Sequence, residues 1–275
     1  MGIPEVTSPT NVVKRPTPTP PFKPNNVAKY YNIVREMAIT DFRLKYHDSA
    51  LGYIWTMLNP LLMFGVYYFV FTKIFPSKIP NYPLFLLIGI FSYAFFQDCT
   101  FSAMNALAGK AGIMKKIYFP KTIIIIASSI TCTFSFIINL IALFALIVFV
   151  KGISSLVFLI PIAILCMILF STGIGFFLGA MYAYFRDMAQ IWGVLVLVLF
   201  WLSPIVFDVE TLPEQISTFV YLNPLTRIMG LMRHYLLYDF FDPRFLLMTI
   251  FYSLLSLLIG YFVFKKHEHK LSELF

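Results

Sequence analysis

The sequence predicts an all-α membrane protein with six transmembrane helices, an N-terminal amphipathic interface helix, and a re-entrant outer hairpin between spans five and six. Six stretches without a charged residue carry that expectation: 52–72, 79–97, 122–150, 152–185, 188–207 and 245–264. Each is long enough to span, since a helix needs roughly 20 residues to cross about 30 Å of hydrocarbon. Composition agrees, since 59% of the 275 residues are hydrophobic and 12% charged, a balance unsuited to a soluble surface. Backbone amides in hydrocarbon must be satisfied within the protein, so spans are helices or closed barrels. Continuous apolar runs select helices over the alternating strands of a barrel.

The elements follow in order. Residues 1–26 are expected to be a disordered cytoplasmic tail, punctuated by Pro4, Pro9, Pro16, Pro18, Pro20, Pro21 and Pro24. Within 27–50, Val27, Tyr30, Tyr31, Val34, Met37, Ala38 and Phe42 recur at helical spacing, with Lys29, Asn32, Arg35, Glu36 and Arg43 between them. Such a helix either lies at the cytoplasmic interface among lipid phosphates or docks on a partner. Residues 51–265 hold the transmembrane domain, and 266–275 a cytoplasmic tail.

In span one, Pro60 lacks an amide hydrogen and is expected to kink or interrupt the helix beside Asn59. Span two starts at Pro83 and reaches Asp98 after about 22 Å of rise. That depth places Asp98 near the inner headgroups, as a functional acid or a solvated helix-end carboxylate. Ser171, Gly175 and Gly179 form a small-residue stripe along span four that admits a close helix neighbour. After span five, Pro213 and Asn223-Pro224 divide an external segment into two apolar pieces, 215–222 and 225–238, both too short to cross. Two half-inserted helices satisfy these features.

Charge sets the expected orientation. Of the 21 Lys and Arg, only Lys73, Lys78, Lys151, Arg227, Arg233 and Arg244 fall on the side opposite the termini. The positive-inside bias therefore puts both termini in the cytoplasm. The net charge of +8 suits anionic membrane lipids and gives no reason to expect nucleic acid. Cys99, Cys132 and Cys166 all fall in or beside spans, as apolar fillers with no disulfide framework.

Chemistry is sparse along the chain. Gly109-Lys110 lacks the upstream glycine of a phosphate loop. His47, His234, His267 and His269 are too scattered for a metal, and no nucleophile set can be assembled on one side. No catalytic residue, metal or cofactor is expected in this chain. Without an acid near the bilayer midplane, uphill transport must take its energy from outside it. The 31 Phe, 16 Tyr and 3 Trp include Phe96, Phe200 and a set proposed to line a path: Tyr67, Tyr68, Phe71, Phe91, Tyr93, Phe95, Trp192 and Trp201. Ring faces offer apolar contact on which sugars can stack and slide, or they are interfacial belts and lipid-facing filler.

Several motifs occur in a fixed order: Asp41-Phe42-Arg43-Leu44-Lys45-Tyr46, Leu51-Gly52-Tyr53-Ile54-Trp55, Asn59-Pro60-Leu61, Lys115-Lys116-Ile117-Tyr118-Phe119-Pro120-Lys121, Tyr184-Phe185-Arg186-Asp187, Trp201-Leu202-Ser203-Pro204-Ile205 and Leu222-Asn223-Pro224-Leu225-Thr226. Over about residues 28–265 the chain resembles the type-2 permeases of ABC polysaccharide exporters, which move O-antigen, teichoic acid or capsule polymers. That resemblance implies a homodimer around a channel, two copies of an ATP-binding cassette subunit that hold ATP and magnesium, and an undecaprenyl-diphosphate-linked glycan as substrate. By position it implies that Gly112, Ile113, Met114, Lys115 and Lys116 couple to the ATPase. Arg43, Lys45 and Arg186 become candidates for the lipid diphosphate, or simple interface anchors. Pro213, Asn223 and Pro224 belong to an outer gate. Two other readings are an exporter of small lipophilic compounds, which would show a closed lateral pocket, and a polyprenyl-lipid transferase, which would need paired carboxylates or a His/Asp set.

Overall fold

The computed structural model describes residues 26–46, 52–74, 79–116 and 119–274. The Pro-rich tail, residues 47–50, Ile117-Tyr118 and the side chains of Lys115 and Lys116 lie outside that description. Among the described residues there are helices and no strand. Five helical stretches are long and apolar enough to span a membrane: Gly52–Ile74, Tyr82–Gly109, Thr122–Val150, Val157–Tyr184 and Pro243–Glu268. The sixth apolar helix, Met188–Leu202, is shorter.

The first helix, α1 (Asn26–Tyr46), packs its apolar stripe on α5 (Thr122–Val150) of the same chain. Ala38 is buried there and its carbonyl accepts from Thr131 Oγ1 at 3.2 Å, while Phe42 stacks on Tyr53 at 5.0 Å. Next, α2 (Trp55–Phe69) continues as a π-helical turn to Ile74. The central helix is α3 (Tyr82–Gly109), which contacts α2, α5, α6 (Ile160–Tyr184), α7 (Met188–Leu202) and α9 (Pro224–Arg233). Its spanning window is 78% buried, against 11% for the span that contains α2. That hub position explains why α3 is apolar all round and has no single buried stripe.

Two helices run past the boundaries expected of their spans. The helix of the second span does not end near Asp98, because α3 continues to Gly109 before the short helix α4 (Ala111–Lys116). Asp98 is therefore a mid-helix side chain and no helix-end carboxylate. At the other end of the chain no break occurs near residue 265, since α10 runs unbroken from Pro243 to Leu274. Its last turns are held by Glu268, which accepts from the Lys121 amide at 2.8 Å. Gly152, at φ +89°, closes α5 with an amide bond back to the Val148 carbonyl, a geometry that glycine adopts without strain.

Cross-helix charge contacts fall into two groups at opposite ends of the bundle. Asp41 pairs with Lys110 at one end, and deeper in the same half Lys45 pairs with Asp98, while the Lys121 ammonium donates to the Glu268 backbone carbonyl. Lys151 pairs with Asp239 at the other end.

Pro204 stops α7 after 15 residues, too few to cross alone. Residues 203–206 continue as buried non-helical backbone, which is tolerated at membrane depth only if its polar groups find partners. Arg233, 4% exposed, supplies them: its guanidinium donates to the carbonyls of Pro204 at 2.6 Å, Ile205 at 3.4 Å and Phe85 at 3.2 Å. Gly89 makes room for it, since a Cβ there would sit 2.9 Å from Nη2. Tyr82 adds a hydroxyl bond to the Val206 carbonyl at 3.2 Å. Above this segment stand α8 (Glu214–Leu222) and α9, two short helices joined at Asn223.

Candidate functional site

A groove runs between α2, α3, α5 and α7 as two contiguous cavities of about 510 and 490 Å³ that share Asn59, Pro60 and Ala94. Its polar half begins at the Lys45–Asp98 ion pair, 2.7 Å, with side chains 30% and 34% exposed. Beyond the pair lie Thr56, Asn59, Ser135 and Asn139. The second half is lined by Tyr67, Tyr93, Gln97 and Phe200, with the backbone of Gly193 left bare on α7.

Local sequence builds these features. Pro60 does not end α2; it removes the amide that would have bonded the Thr56 carbonyl four residues back. Asn139 fills that vacancy by donating Nδ2 to the Thr56 carbonyl at 3.3 Å. The Asn139 Oδ1 is buried and has no partner among the described residues, so an acceptor remains in the wall of the polar cavity. Ser135 and Asn139 stand four residues apart and share one face of α5. In the aromatic half, Tyr67 stacks on Phe200 at 5.2 Å and Tyr93 meets the same ring edge-on at 5.3 Å. The Tyr93 hydroxyl donates to the Val196 carbonyl, tying α3 to α7.

The proposed aromatic path is only partly assembled in one place. Tyr67 and Tyr93 line the groove, and Phe95 lines its polar half while stacking on Phe136 at 4.4 Å. Phe91 is buried in the core, and Trp192 is buried with Nε1 donating to Thr100 Oγ1 at 3.1 Å. Phe71 packs against the core from the π-helical turn. Tyr68 and Trp201 face outward, Tyr68 stacked on Phe64 and Trp201 edge-on to Phe200.

The remaining candidates lie at the ends of the bundle. Arg43 is exposed on α1, Lys45 is paired with Asp98, and Arg186 follows α6 with its guanidinium 5.5 Å from the Tyr182 ring. Gly112, Ile113 and Met114 sit on α4, with Ile113 exposed, and Lys115 and Lys116 complete that helix. Pro213 precedes α8; Asn223 caps α9 by accepting from the Leu225 amide at 3.0 Å, and Pro224 is its first residue. The residues that sequence reasoning passed over are Thr56, Gln97, Ser135, Asn139, Gly193 and Arg233. An amide four residues from a hydroxyl inside a charge-free span was the available signal for Asn139 and Ser135.

Residues 34–237, which include the groove and the hairpin, match the ABC-2 type transporter family. The chain belongs to that family. Among characterised relatives it is similar to an "O-antigen export system permease protein RfbA" of Klebsiella pneumoniae, 24% identical over 252 residues, 90% of this chain and 97% of the relative. It is also similar to the Myxococcus xanthus protein of that description, 24% identical over 204 residues, 73% of this chain and 78% of the relative. A third is the "Polysialic acid transport protein KpsM" of Escherichia coli, 25% identical over 246 residues, 86% and 93% of the two chains. For this ABC-2 chain, the family match and the all-helical fold together establish a multi-pass membrane transport protein.

Proposed function

We propose that the chain is the membrane subunit of an ATP-driven exporter that moves an undecaprenyl-diphosphate-linked polysaccharide, O-antigen in the first instance, out of the cytoplasm. The observation that carries this reading is the groove: amides and hydroxyls at one end, aromatic faces at the other. A glycan offers hydroxyls to the first and apolar ring faces to the second. Neither half holds a deep trap, and a polymer that must slide needs many weak contacts. The groove is open along α2 and α7, where Met63, Leu197 and Trp201 are exposed, and a second copy would close it into a channel. In this scheme both termini are cytoplasmic and the membrane is the bacterial inner one.

The energy comes from two ATP-binding cassette subunits that dock at α4. A push on α4 has a direct mechanical route, because Lys110 beside it pairs with Asp41 of α1, and Lys45 of the same helix closes on Asp98 at the groove mouth. Arg43 and Arg186 would hold the diphosphate at that end by charge-assisted bonds, and Pro213, Asn223 and Pro224 would gate the exit. The test is ATP-dependent glycan export in vesicles that contain this chain and its cassette partner. Lys115→Glu with Lys116→Glu is expected to leave ATP hydrolysis running and to stop export. Export at the unmodified rate would overturn the docking surface, and export by this chain without a nucleotide-hydrolysing partner would overturn the reading itself.

A further inference from the structure

A separate cavity of about 500 Å³ opens between the hairpin and the start of α10, at the end of the bundle that carries Lys151 and Asp239, and shares no lining residue with the groove. We propose that it is a saccharide-binding subsite for uncharged hexose units of a glycan chain. The proposal rests on the export reading only in expecting a glycan on this side of the membrane.

Arg227 anchors the site. Its Nε donates to the Tyr221 carbonyl at 2.8 Å, and the guanidinium carbon lies 5.8, 5.4 and 5.5 Å from the ring centres of Tyr221, Phe245 and Tyr252. Three rings thus hold the group in place, while among the described residues its terminal nitrogens make no hydrogen bond and no ion pair. Planar donors fixed in this way are ready for a ligand oxygen. Acceptors stand across the same cavity. Asp242 uses one oxygen to cap α10, accepting from the amides of Arg244 at 2.9 Å and Phe245 at 3.3 Å, and its second oxygen has no bond among the described residues. Glu210 is exposed at the same cavity.

His234 fills the inner wall between Phe240 and Phe245, with ring centres 5.3 and 5.2 Å away, and its buried Nδ1 has no partner among the described residues. Burial pushes its pKa down, so the imidazole stays neutral in water at pH 7.

Charge selects the ligand class. With His234 neutral, one guanidinium faces two carboxylates, a net negative site that repels phosphate and other anions. Among the described residues no three metal-ligating side chains come together, so a bound cation has no cage. A sugar suits all the groups at once: its hydroxyls donate to Asp242 and Glu210, its oxygens accept from Arg227, and its apolar face covers Phe240 and Tyr238, 54% and 41% exposed. The volume lies within the roughly 300–1,000 Å³ of small-molecule sites.

The experiment is saturation-transfer NMR on the full chain in phosphatidylcholine nanodiscs, with maltoheptaose and a mannose heptamer as probes and no nucleotide present. Transfer to the sugar ring protons is expected from the unmodified chain. Phe240→Ala and Glu210→Gln, both at exposed positions, are each expected to weaken it by roughly fivefold or more with unchanged thermal unfolding. Phe149→Ala, at a 90% exposed position outside both the groove and this cavity, is expected to leave it unaltered. No transfer to either oligosaccharide, undiminished transfer in both pocket variants, or, with glycerophosphoethanolamine as a third probe, transfer to it alone, which would mark a lipid-headgroup site, would each overturn the proposal. Export assays do not enter this readout, so loss of the subsite and loss of the export reading remain distinct results.

Discussion

At the crossing of α6 and α10, Gly173 and Gly260 bring two backbones into direct contact. A Cβ at Gly260 would lie 1.9 Å from the Gly173 carbonyl oxygen and 2.8 Å from its carbon, and one at Gly173 would lie 2.5 Å from the Ser256 carbonyl carbon and 2.6 Å from the Leu257 nitrogen. A relaxed carbon–oxygen contact is about 3.3 Å, so Gly260→Ala forces the helices apart locally by more than about 1 Å. The obstacle is backbone and cannot rotate away. A gap of that size forfeits a quarter to a half of each neighbouring dispersion contact, and overpacking of this kind costs about 1–3 kcal/mol. In lipid, such close approach is a main source of helix association, because burial from water no longer drives it. For a chain of this length 1 kcal/mol corresponds to about 2–4 °C, so Gly260→Ala and Gly173→Ala should each melt several degrees low in detergent. Gly65→Ala on α2, where a Cβ meets nothing within 4 Å, provides the control. If Gly260→Ala melts with or above Gly65→Ala, the close crossing is wrong.

Three more outcomes can be measured. Reversing either member of the Lys45–Asp98 pair should impair export, and the double reversal should restore most of it. Because both side chains are about one-third exposed, the same changes should move stability by no more than about 1 kcal/mol. Arg233→Met strips donors from the carbonyls of Phe85, Pro204 and Ile205; a loss of about 2–4 kcal/mol is expected, read as faster hydrogen exchange over 203–207, and unchanged exchange there would refute the role assigned to it. Asp239 is held down to about 2 by hydrogen bonds from Ser154 and Lys151. Its contribution is complete above the ordinary carboxylate value of about 3.9 and disappears as pH falls toward about 2. Asp239→Asn should therefore flatten the acid limb of unfolding in that window, and an unchanged limb would count against the Asp239 contacts.

Much of the architecture was legible in the chain itself, because crossing hydrocarbon is a local demand: each span must be long, apolar and helical whatever its neighbours do. The same locality made α1 and the split at Asn223-Pro224 readable from spacing and proline, whereas the run 188–207 reads as one span and its helix stops at Leu202. Sequence did not show that Asp98 is a mid-helix group, since a charge in an apolar run looks like an end until a partner such as Lys45 is brought beside it. Nor did it show which rings share a groove: Tyr67, Tyr93 and Phe200 come from three different helices, while Phe91 and Trp192, equally aromatic, turn into the core. Arg233 is the plainest case. Composition placed it among outer-face charges, but only the folded chain brings it under the broken end of α7, where three carbonyls need donors and none is near in sequence. Solvent thus dictated which segments cross, and the pairing of groups left over from those crossings, a matter of contact between distant residues, was decided by tertiary packing alone.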